Sequence, residues 1–202
     1  MNKEEVIKNY NLKKEEIKKI DIYISELKKH NATTNLVGAS TMLNPWERHI
    51  CDSLQIMSVI KNKNKTILDM GTGAGLPGVV LSIIGYNHVT MVDSKIKKTN
   101  FVEHALKLLN LKGAVVNSRL ENLKKQNFDY ITSRALSSLN NLFNYSLLFS
   151  NKNTTLVFLK GRNVNNEIIE AKKNFSFDFK IFKSKTSGDG NLITINKLKK
   201  DV

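Results

Sequence analysis

The sequence predicts an α/β fold with a mostly parallel seven-stranded sheet, an antiparallel hairpin at its C-terminal end and a helical N-terminal extension. Three observations predict this fold. Short apolar runs alternate with helical stretches from residue 66 onward, a glycine-rich turn follows the first run, and a short polar turn joins the last two runs. We expect residues 1–62 to form the extension and residues 63–202 to form one sheet-containing unit.

The extension is predicted as helical because its apolar residues recur at helical spacing. Ile17, Ile20, Ile24 and Leu27 lie three or four positions apart in EEIKKIDIYISELKKH. The sheet is predicted from seven short runs rich in β-branched and aromatic residues: TILDM, HVTMVD, AVVNS, FDYITS, TTLVFLK, FKIFK and LITINKL.

Helical stretches separate these runs, which indicates parallel strands with right-handed crossovers. The stretches are GLPGVVLSII, SKIKKTNFVEHALKLLN and the segments 136–149 and 164–173. The last two runs are joined across TSGDGN and read as an antiparallel hairpin. A parallel sheet closed by such a hairpin is the shape expected of a class I methyltransferase.

Composition and charge favour a polyanionic partner. The 202 residues are 41% hydrophobic, and 32 Lys and Arg against 18 Asp and Glu give a net charge of +14. Such a charge favours nucleic acid first and an anionic membrane surface second, although a general abundance of lysine would produce it too. The N-terminus lacks a signal-peptide pattern, no apolar run is long enough to span a membrane, and the single cysteine fits a reducing cytoplasm. One cysteine also excludes a cysteine-based zinc site, and the sequence predicts no metal site.

The glycine-rich turn TILDMGTGAGLPG can be read in two ways. Gly73, Gly75 and Gly78 fit the G-x-G-x-x-G fingerprint of dinucleotide-binding proteins. Alternatively, GTGAG from Gly71 follows the acidic Asp69, as in enzymes that use S-adenosylmethionine. A carboxylate before the loop would repel a pyrophosphate but suits a ligand that carries an ammonium and a sulfonium.

Acidic residues after the next two strands favour the second reading. Asp93 ends the second strand and is expected to bind ribose hydroxyls, which occur in both ligand classes. Glu121, in NSRLENL after the third strand, matches the adenine side of a methyltransferase site. The sequence therefore predicts S-adenosylmethionine as cofactor, with Gly71 and Gly73 accommodating its amino-acid arm.

Several motifs together resemble the glucose-inhibited division protein B (RsmG) family. They are DMGTGAGLPG, VDS, NSRLENL, SRALSSLN, LKGR and the upstream NLVGASTMLNPWERHICDSLQ. The resemblance implies methylation of guanine N7 in the 530-loop region of 16S ribosomal RNA, free or in a small-subunit assembly particle. It assigns cofactor contacts to Gly71, Leu76, Leu120, Glu121 and Arg134, with S-adenosylhomocysteine as product. We expect a cytoplasmic monomer without membrane contact.

The chemistry of this reaction fits the absence of an evident catalytic acid or base. Two isolated prolines cannot supply an Asn/Asp-Pro-Pro loop, and Cys51 precedes the first strand and reads as a small core residue. Guanine N7 carries a lone pair and no proton, so methyl transfer needs no general base. Catalysis would then come mainly from positioning, which can supply about 7–11 kcal/mol.

Four basic or polar residues are predicted to face the RNA. Arg48 and His49 lie in WERHICDSLQIM, where Arg48 and Asp52 could instead form an i,i+4 pair within a connecting helix. Lys160 and Arg162 in LKGR follow a strand at the expected active-site edge and favour phosphate contact. Trp46 could stack on a base but reads more readily as a packing anchor.

Arg134 is expected beside the cofactor because it lies just past the fourth strand, which adjoins the first strand in this type of sheet. Only four basic residues are arginine, namely Arg48, Arg119, Arg134 and Arg162. A planar guanidinium suits the carboxylate of the methionine arm, whereas a structural role would pair Arg134 with Asp129 or a helix end.

Other functions stay open from the sequence alone. They are methylation of another RNA or of a small anionic substrate, a nicotinamide-dependent oxidoreductase, and an inactive RNA-binding module.

Overall fold

All seven predicted strands are present in one mixed sheet. The computed structural model describes residues 1–186 and 188–201. The strands are β1 (Ile67–Met70), β2 (Val89–Asp93), β3 (Ala114–Asn117), β4 (Tyr130–Arg134), β5 (Thr155–Lys160), β6 (Phe175–Lys183) and β7 (Asn191–Lys200).

The strand order β3-β2-β1-β4-β5-β7-β6 confirms the predicted fold class. Strands β1 to β5 pair in parallel, whereas β7 is antiparallel to both β5 and β6. The chain runs outward from β1 to β3 and then returns to β4 on the other side of β1. The carboxyl ends of β1 and β4 therefore flank the point where the strand order reverses, which is where open α/β sheets bind ligands.

Seven helices accompany the sheet in the described part of the chain. They are α1 (Lys3–Tyr10), α2 (Lys14–Thr34), α3 (Asp52–Leu54), α4 (Gly78–Ile83), α5 (Ile96–Leu108), α6 (Leu139–Ser146) and α7 (Val164–Ala171). Short 3₁₀ turns cover Ala39–Leu43, Gln55–Ser58 and Leu120–Asn122, and Trp46–Cys51 is a π-helical turn.

The two faces of the sheet are covered by different parts of the sequence. Helices α1, α2, α4 and α5 pack on one face, and α6 and α7 pack on the other. The predicted helical spacing places Ile20 and Leu27 of α2 in the first core, together with Tyr23, whose hydroxyl donates to the Ala74 carbonyl at 2.7 Å. The extension therefore supports the glycine loop directly. Its division from the rest of the chain at residues 62 and 63 stays a prediction.

The segment 46–58 differs from the regular helix expected from its sequence. Its π-helical first turn shifts the side chains relative to an α-helical wheel, and π turns are rare and frequent at functional sites. His49 and Ser53 are buried along with Ile50 and Leu54, whereas Arg48 is exposed. The segment is therefore mostly buried, and Arg48 is its exposed side chain at the large cavity.

Within the described residues, no helix has both the length and the apolar character needed to cross a bilayer.

Candidate active site

The glycine loop leaves β1 at the carboxyl edge of the sheet. Gly71, Gly73 and Gly75 have φ values of +66°, +59° and +88°, a backbone region that other residues enter at a cost. A Cβ added at Gly73 would meet only the Gly71 carbonyl oxygen at 3.9 Å, so this glycine faces open space. A Cβ at Gly71 would instead lie 2.6 Å from a Leu136 methyl group. Gly73 therefore leaves room for a ligand, whereas Gly71 avoids a clash with the Leu136 side chain.

Asp69 supports this loop from beneath and does not face the cavity, contrary to the electrostatic role expected from the sequence. It is fully buried, and its carboxylate accepts hydrogen bonds from the Thr72 hydroxyl (2.6 Å), the Gly78 amide (3.0 Å) and the Thr132 hydroxyl (3.0 Å). Burial raises the pKa of Asp69 to about 6, against the lowering effect of these hydrogen bonds. Its observed role is to fix the path of the chain from β1 into α4.

Asp93 braces the other side of the loop. Its carboxylate accepts hydrogen bonds from the backbone amides of Gly73 at 3.0 Å and Lys95 at 2.9 Å. The side chain is half-buried at the end of β2, and it lines a small cleft beside the loop. One carboxylate thus connects the glycine loop to the start of α5 and remains accessible to a ligand.

The predicted cofactor residues line two adjoining spaces at this edge of the sheet. A cavity of about 720 Å³ is lined by Gly71, Gly73, Leu76 and Arg134. A cleft of about 120 Å³ is lined by Gly71, Asp93, Leu120 and Glu121. Gly71 lines both spaces, so all seven predicted cofactor residues lie at two neighbouring spaces on the same edge of the sheet.

Arg134 is held by the segment 46–58. Its guanidinium donates to the Arg48 carbonyl at 3.1 Å and lies 3.2 Å from an Asp52 carboxylate oxygen. Both guanidinium NH₂ groups lie 3.3 Å from His49 Nδ1. Asp129, the partner considered from the sequence, instead contacts Lys65 at 2.9 Å near the opposite edge of the sheet.

His49 is buried beside Arg134 at the edge of the large cavity, and its expected contact with the RNA stays a prediction. Burial and the neighbouring Arg134 and Arg48 charges lower the pKa of His49 to about 4. Because Arg134 has only donor groups, His49 Nδ1 acts as the acceptor and Nε2 carries the proton. Nε2 then donates to the Thr41 hydroxyl at 3.0 Å, and that hydroxyl donates to the Gly38 carbonyl at 2.6 Å.

Asp52 forms a close ion pair with Arg134 of β4, in addition to the effect of Arg48 in its own helical segment. The Arg134 guanidinium lies 3.2 Å from an Asp52 carboxylate oxygen, and the Arg48 charge also stabilises the Asp52 carboxylate. Burial raises the pKa of Asp52, and both arginines oppose that rise. Arg48 itself is exposed and lines the large cavity.

Lys160 and Arg162 have opposite environments despite their proximity in LKGR. The Lys160 ammonium lies 2.7 Å from Glu167 and donates to the Ser137 carbonyl at 2.7 Å, with only 9% of its side chain exposed. This internal ion pair argues against the phosphate contact expected from the sequence. Arg162 is 85% exposed, and its Nε lies 4.0 Å from an Asp189 oxygen.

The remaining candidates behave as packing residues. Trp46 is 8% exposed and its indole lies 3.3 Å from Asp21, while Cys51 is fully buried as expected. Sequence reasoning missed other residues that line the large cavity: Leu36, Val37, Gly38, Thr41, Lys98, Thr186 and Asp189. The first four follow α2 in the NLVGAST stretch, whose position in the motif was a signal that they lie at the site.

The strand order, with β7 antiparallel between β5 and β6, and the glycine loop after β1 define the fold of a class I S-adenosylmethionine-dependent methyltransferase. Solved structures show the same fold. The tRNA (m1A58) methyltransferase TrmI from Aquifex aeolicus has a TM-score of 0.62 at 17% identity and covers 74% of this chain and 69% of its own. The ribosomal protein L11 methylase from Lactobacillus delbrueckii subsp. bulgaricus has a TM-score of 0.60 at 19% identity, with 72% and 76% covered.

Sequence comparison identifies the family. The family model described as rRNA small subunit methyltransferase G matches residues 16–193. Ribosomal RNA small subunit methyltransferase G of Rickettsia prowazekii (strain Madrid E) is 40% identical over 91% of this chain and 95% of its own length. The relative with the same name from Orientia tsutsugamushi (strain Ikeda) is 38% identical over 93% of each. The chain belongs to this family.

Proposed function

We propose that this protein transfers the methyl group of S-adenosylmethionine to N7 of a guanine in 16S ribosomal RNA. The observation that carries the proposal is the single cavity in which the glycine loop and Arg134 meet the exposed, basic Arg48 and Arg162. One side of this cavity suits an amino-acid-bearing cofactor, and the other suits a phosphate backbone. Family membership adds that small-subunit ribosomal RNA is the substrate class.

The residues at the site fit the cofactor. Gly73 leaves open space where any other residue would place a Cβ, and Asp93 presents acceptor oxygens at the mouth of the smaller cleft. We assign the ribose to Asp93 and the adenine to the cleft lined by Leu120 and Glu121. Arg134 would hold the carboxylate of the methionine arm, since paired N–H donors match a carboxylate.

The protein's own groups mainly position the reactants. When bound, the cofactor supplies an electrophilic methyl group on a positively charged sulfur. Guanine N7 needs no deprotonation, so the buried, neutral His49 has no proton to accept and instead serves to hold Arg134. Orientation within the cavity would then account for most of the rate enhancement.

The RNA is assigned to the side of the cavity that carries Arg162. This guanidinium has a largely exposed side chain and only a 4.0 Å contact to Asp189, so it can exchange water for a phosphate at little cost. Arg48 and Lys98 line the same cavity and add positive charge. We further propose that the enzyme acts as a cytoplasmic monomer.

The direct test is mass mapping of methylated guanine in 16S ribosomal RNA from cells with and without the protein. We expect one 7-methylguanine to disappear in the deletion strain and to return with the wild-type protein. An unchanged methylation map would contradict the proposal, as would methylation of small anions in place of RNA by the purified enzyme.

A matched pair of glycine variants connects the activity to the cofactor. Gly73→Val would place a side chain in the open space at the loop, and Gly85→Val would add similar backbone strain at φ +94° outside the site. We expect only Gly73→Val to abolish S-adenosylmethionine binding by calorimetry and to fail in restoring the methylated guanine.

A further inference from the structure

Two histidines and a glutamate meet away from the active site, where α2 packs against α5. Glu26 and His30 are four residues apart on α2 and therefore lie on the same face of that helix. His104 approaches them from α5. None of the three is among the residues that line the large cavity or the small cleft.

Their potential ligand atoms are already close together. Glu26 Oε2 lies 3.0 Å from His104 Nε2 and 3.6 Å from His30 Nδ1. One ligand atom from each of the three residues lies within 4.8 Å of the other two. In a tetrahedral zinc site with bonds of about 2.0–2.1 Å, neighbouring ligand atoms are about 3.3 Å apart. Small side-chain rotations would thus bring this cluster to coordination distances.

We propose that Glu26, His30 and His104 bind a divalent transition-metal ion, with Zn²⁺ as the best match. Imidazole nitrogens and a carboxylate oxygen suit zinc, and three protein ligands leave a fourth position for water. The three side chains are 19%, 34% and 45% exposed, so an ion can enter from solvent while Glu26 remains largely shielded.

Without metal, hydrogen bonds hold the same groups together. His30 Nδ1 lies 3.0 Å from the Glu26 carbonyl oxygen, and His104 Nε2 lies at hydrogen-bond distance from the Glu26 carboxylate. Metal binding displaces the protons from these two nitrogens. The ion would then connect α2 of the N-terminal extension to α5 of the sheet-containing unit, which predicts a structural role.

The test is zinc titration of the chelator-treated full-length protein in competition with a chromogenic chelator. We expect one tight site per chain, and we expect cobalt to give the visible absorption of a low-coordinate histidine site. His104→Ala removes a metal ligand and should weaken zinc binding by at least about tenfold. Loss of a residue that only hydrogen-bonds to a metal ligand already costs about that much. His88→Ala removes an exposed histidine outside the cluster and should leave zinc affinity unchanged.

Two further measurements guard against a folding defect in the variants. Glu26→Gln keeps the shape of the side chain but removes the anionic ligand, and it should weaken zinc binding with little change in the metal-free melting temperature. Zinc at about 100 times its Kd should raise the wild-type melting temperature by roughly 5–10 °C. Equal zinc affinity in wild type, His104→Ala and Glu26→Gln would overturn the proposal, as would absence of binding to the wild type.

Discussion

The two walls of the large cavity differ in how their charged groups are satisfied. On the wall formed by the segment 46–58, Arg134 is 17% exposed and contacts Asp52 at 3.2 Å, and the neighbouring His49 is buried. On the wall formed by the end of β5 and the turn before β7, Arg162 and Asp189 are 85% and 72% exposed and lie 4.0 Å apart. Arg134, Asp52 and His49 thus form an internally bonded network beside the exposed Arg48, whereas Arg162 and Asp189 keep their charges in water.

This difference matches the two kinds of ligand that the cavity is proposed to bind. A small cofactor is best recognised by groups already fixed in place, since side-chain ordering then costs nothing on binding. A polyanion gains affinity from solvated cations that release counterions, and such contacts tolerate mobility. We therefore expect substitutions on the first wall to affect stability and cofactor affinity, and substitutions on the second to affect RNA affinity.

The largest expected effect concerns the protonation of His49. Its folded pKa of about 4 lies below the ordinary value of 6.5, so the unfolded chain binds a proton in this interval and the folded protein does not. The stability that neutral His49 contributes is fully present above pH 6.5 and is lost as the pH falls towards 4. At about 1.36 kcal/mol per pKa unit, the loss approaches about 3 kcal/mol.

The variant His49→Gln isolates this effect, because glutamine can accept from Arg134 and donate to Thr41 without titrating. The difference in unfolding free energy between wild type and His49→Gln, measured in urea, should shrink or reverse between pH 6.5 and 4. Asp69 titrates near 6 with the opposite sign, but it is common to both proteins and cancels in the difference. His88→Gln is the exposed control, and a pH-independent difference for His49→Gln would contradict the network.

The next effect is the loss of cofactor affinity in Arg134→Lys. Lysine keeps the charge but not the paired donors, and one charge-assisted hydrogen bond is worth about 1.5–3 kcal/mol, or about tenfold or more in affinity. Calorimetry with S-adenosylmethionine measures the change, and Arg162→Lys on the other wall should bind the cofactor normally. The ligand-free melting temperature of Arg134→Lys should fall as well, because a lysine cannot reproduce all the hydrogen bonds that Arg134 makes to Asp52 and His49. A fall in melting temperature with unchanged cofactor affinity would make Arg134 purely structural.

A smaller effect is expected from Lys160→Met, which retains packing but leaves Glu167 without its cation. Glu167 also accepts from the Leu139 amide at 2.8 Å, so the pair ties β5 to α6 and α7. Because the pair is only partly buried, we expect a loss of about 1–2 kcal/mol in unfolding free energy, between the values for buried and surface pairs. Lys173→Met breaks the exposed pair with Glu170 and should cost less than about 0.5 kcal/mol. Weaker RNA binding without a loss of stability would restore Lys160 to the RNA surface.

Local patterns were sufficient to predict the fold. Strand and helix periodicity gave all seven strands and the hairpin, and the acidic or glycine residues at strand ends marked the edge that carries the cavities. These features follow from neighbouring residues, because the carboxyl ends of parallel strands lie at a common edge.

The partners of the charged residues could not be predicted in the same way. Arg134 and Asp52 are 82 positions apart in the sequence and meet only because the extension packs beside β4. His49 was expected to face the RNA, and the π-helical turn that contains it is not signalled by the local sequence pattern. Lys160 and Arg162 looked equivalent in LKGR, yet Lys160 ends β5 against α7 and Arg162 lies just beyond the strand in solvent.

The smallest expected effect is on RNA affinity in Arg162→Ala. A single phosphate contact changes the slope of log affinity against log salt by about 0.9, which corresponds to about fivefold in affinity near 0.15 M salt. Binding of small-subunit RNA by Arg162→Ala, measured at several salt concentrations, should be weaker by about that factor, with a slope lower by about one.

Lys152→Ala is the matched control, because Lys152 is exposed in the turn that precedes β5 and therefore lies at the opposite edge of the sheet. If the two variants lose affinity equally, the RNA responds only to the net charge of the protein. An unchanged slope for Arg162→Ala alone would move the RNA contact from this wall to Arg48 and Lys98.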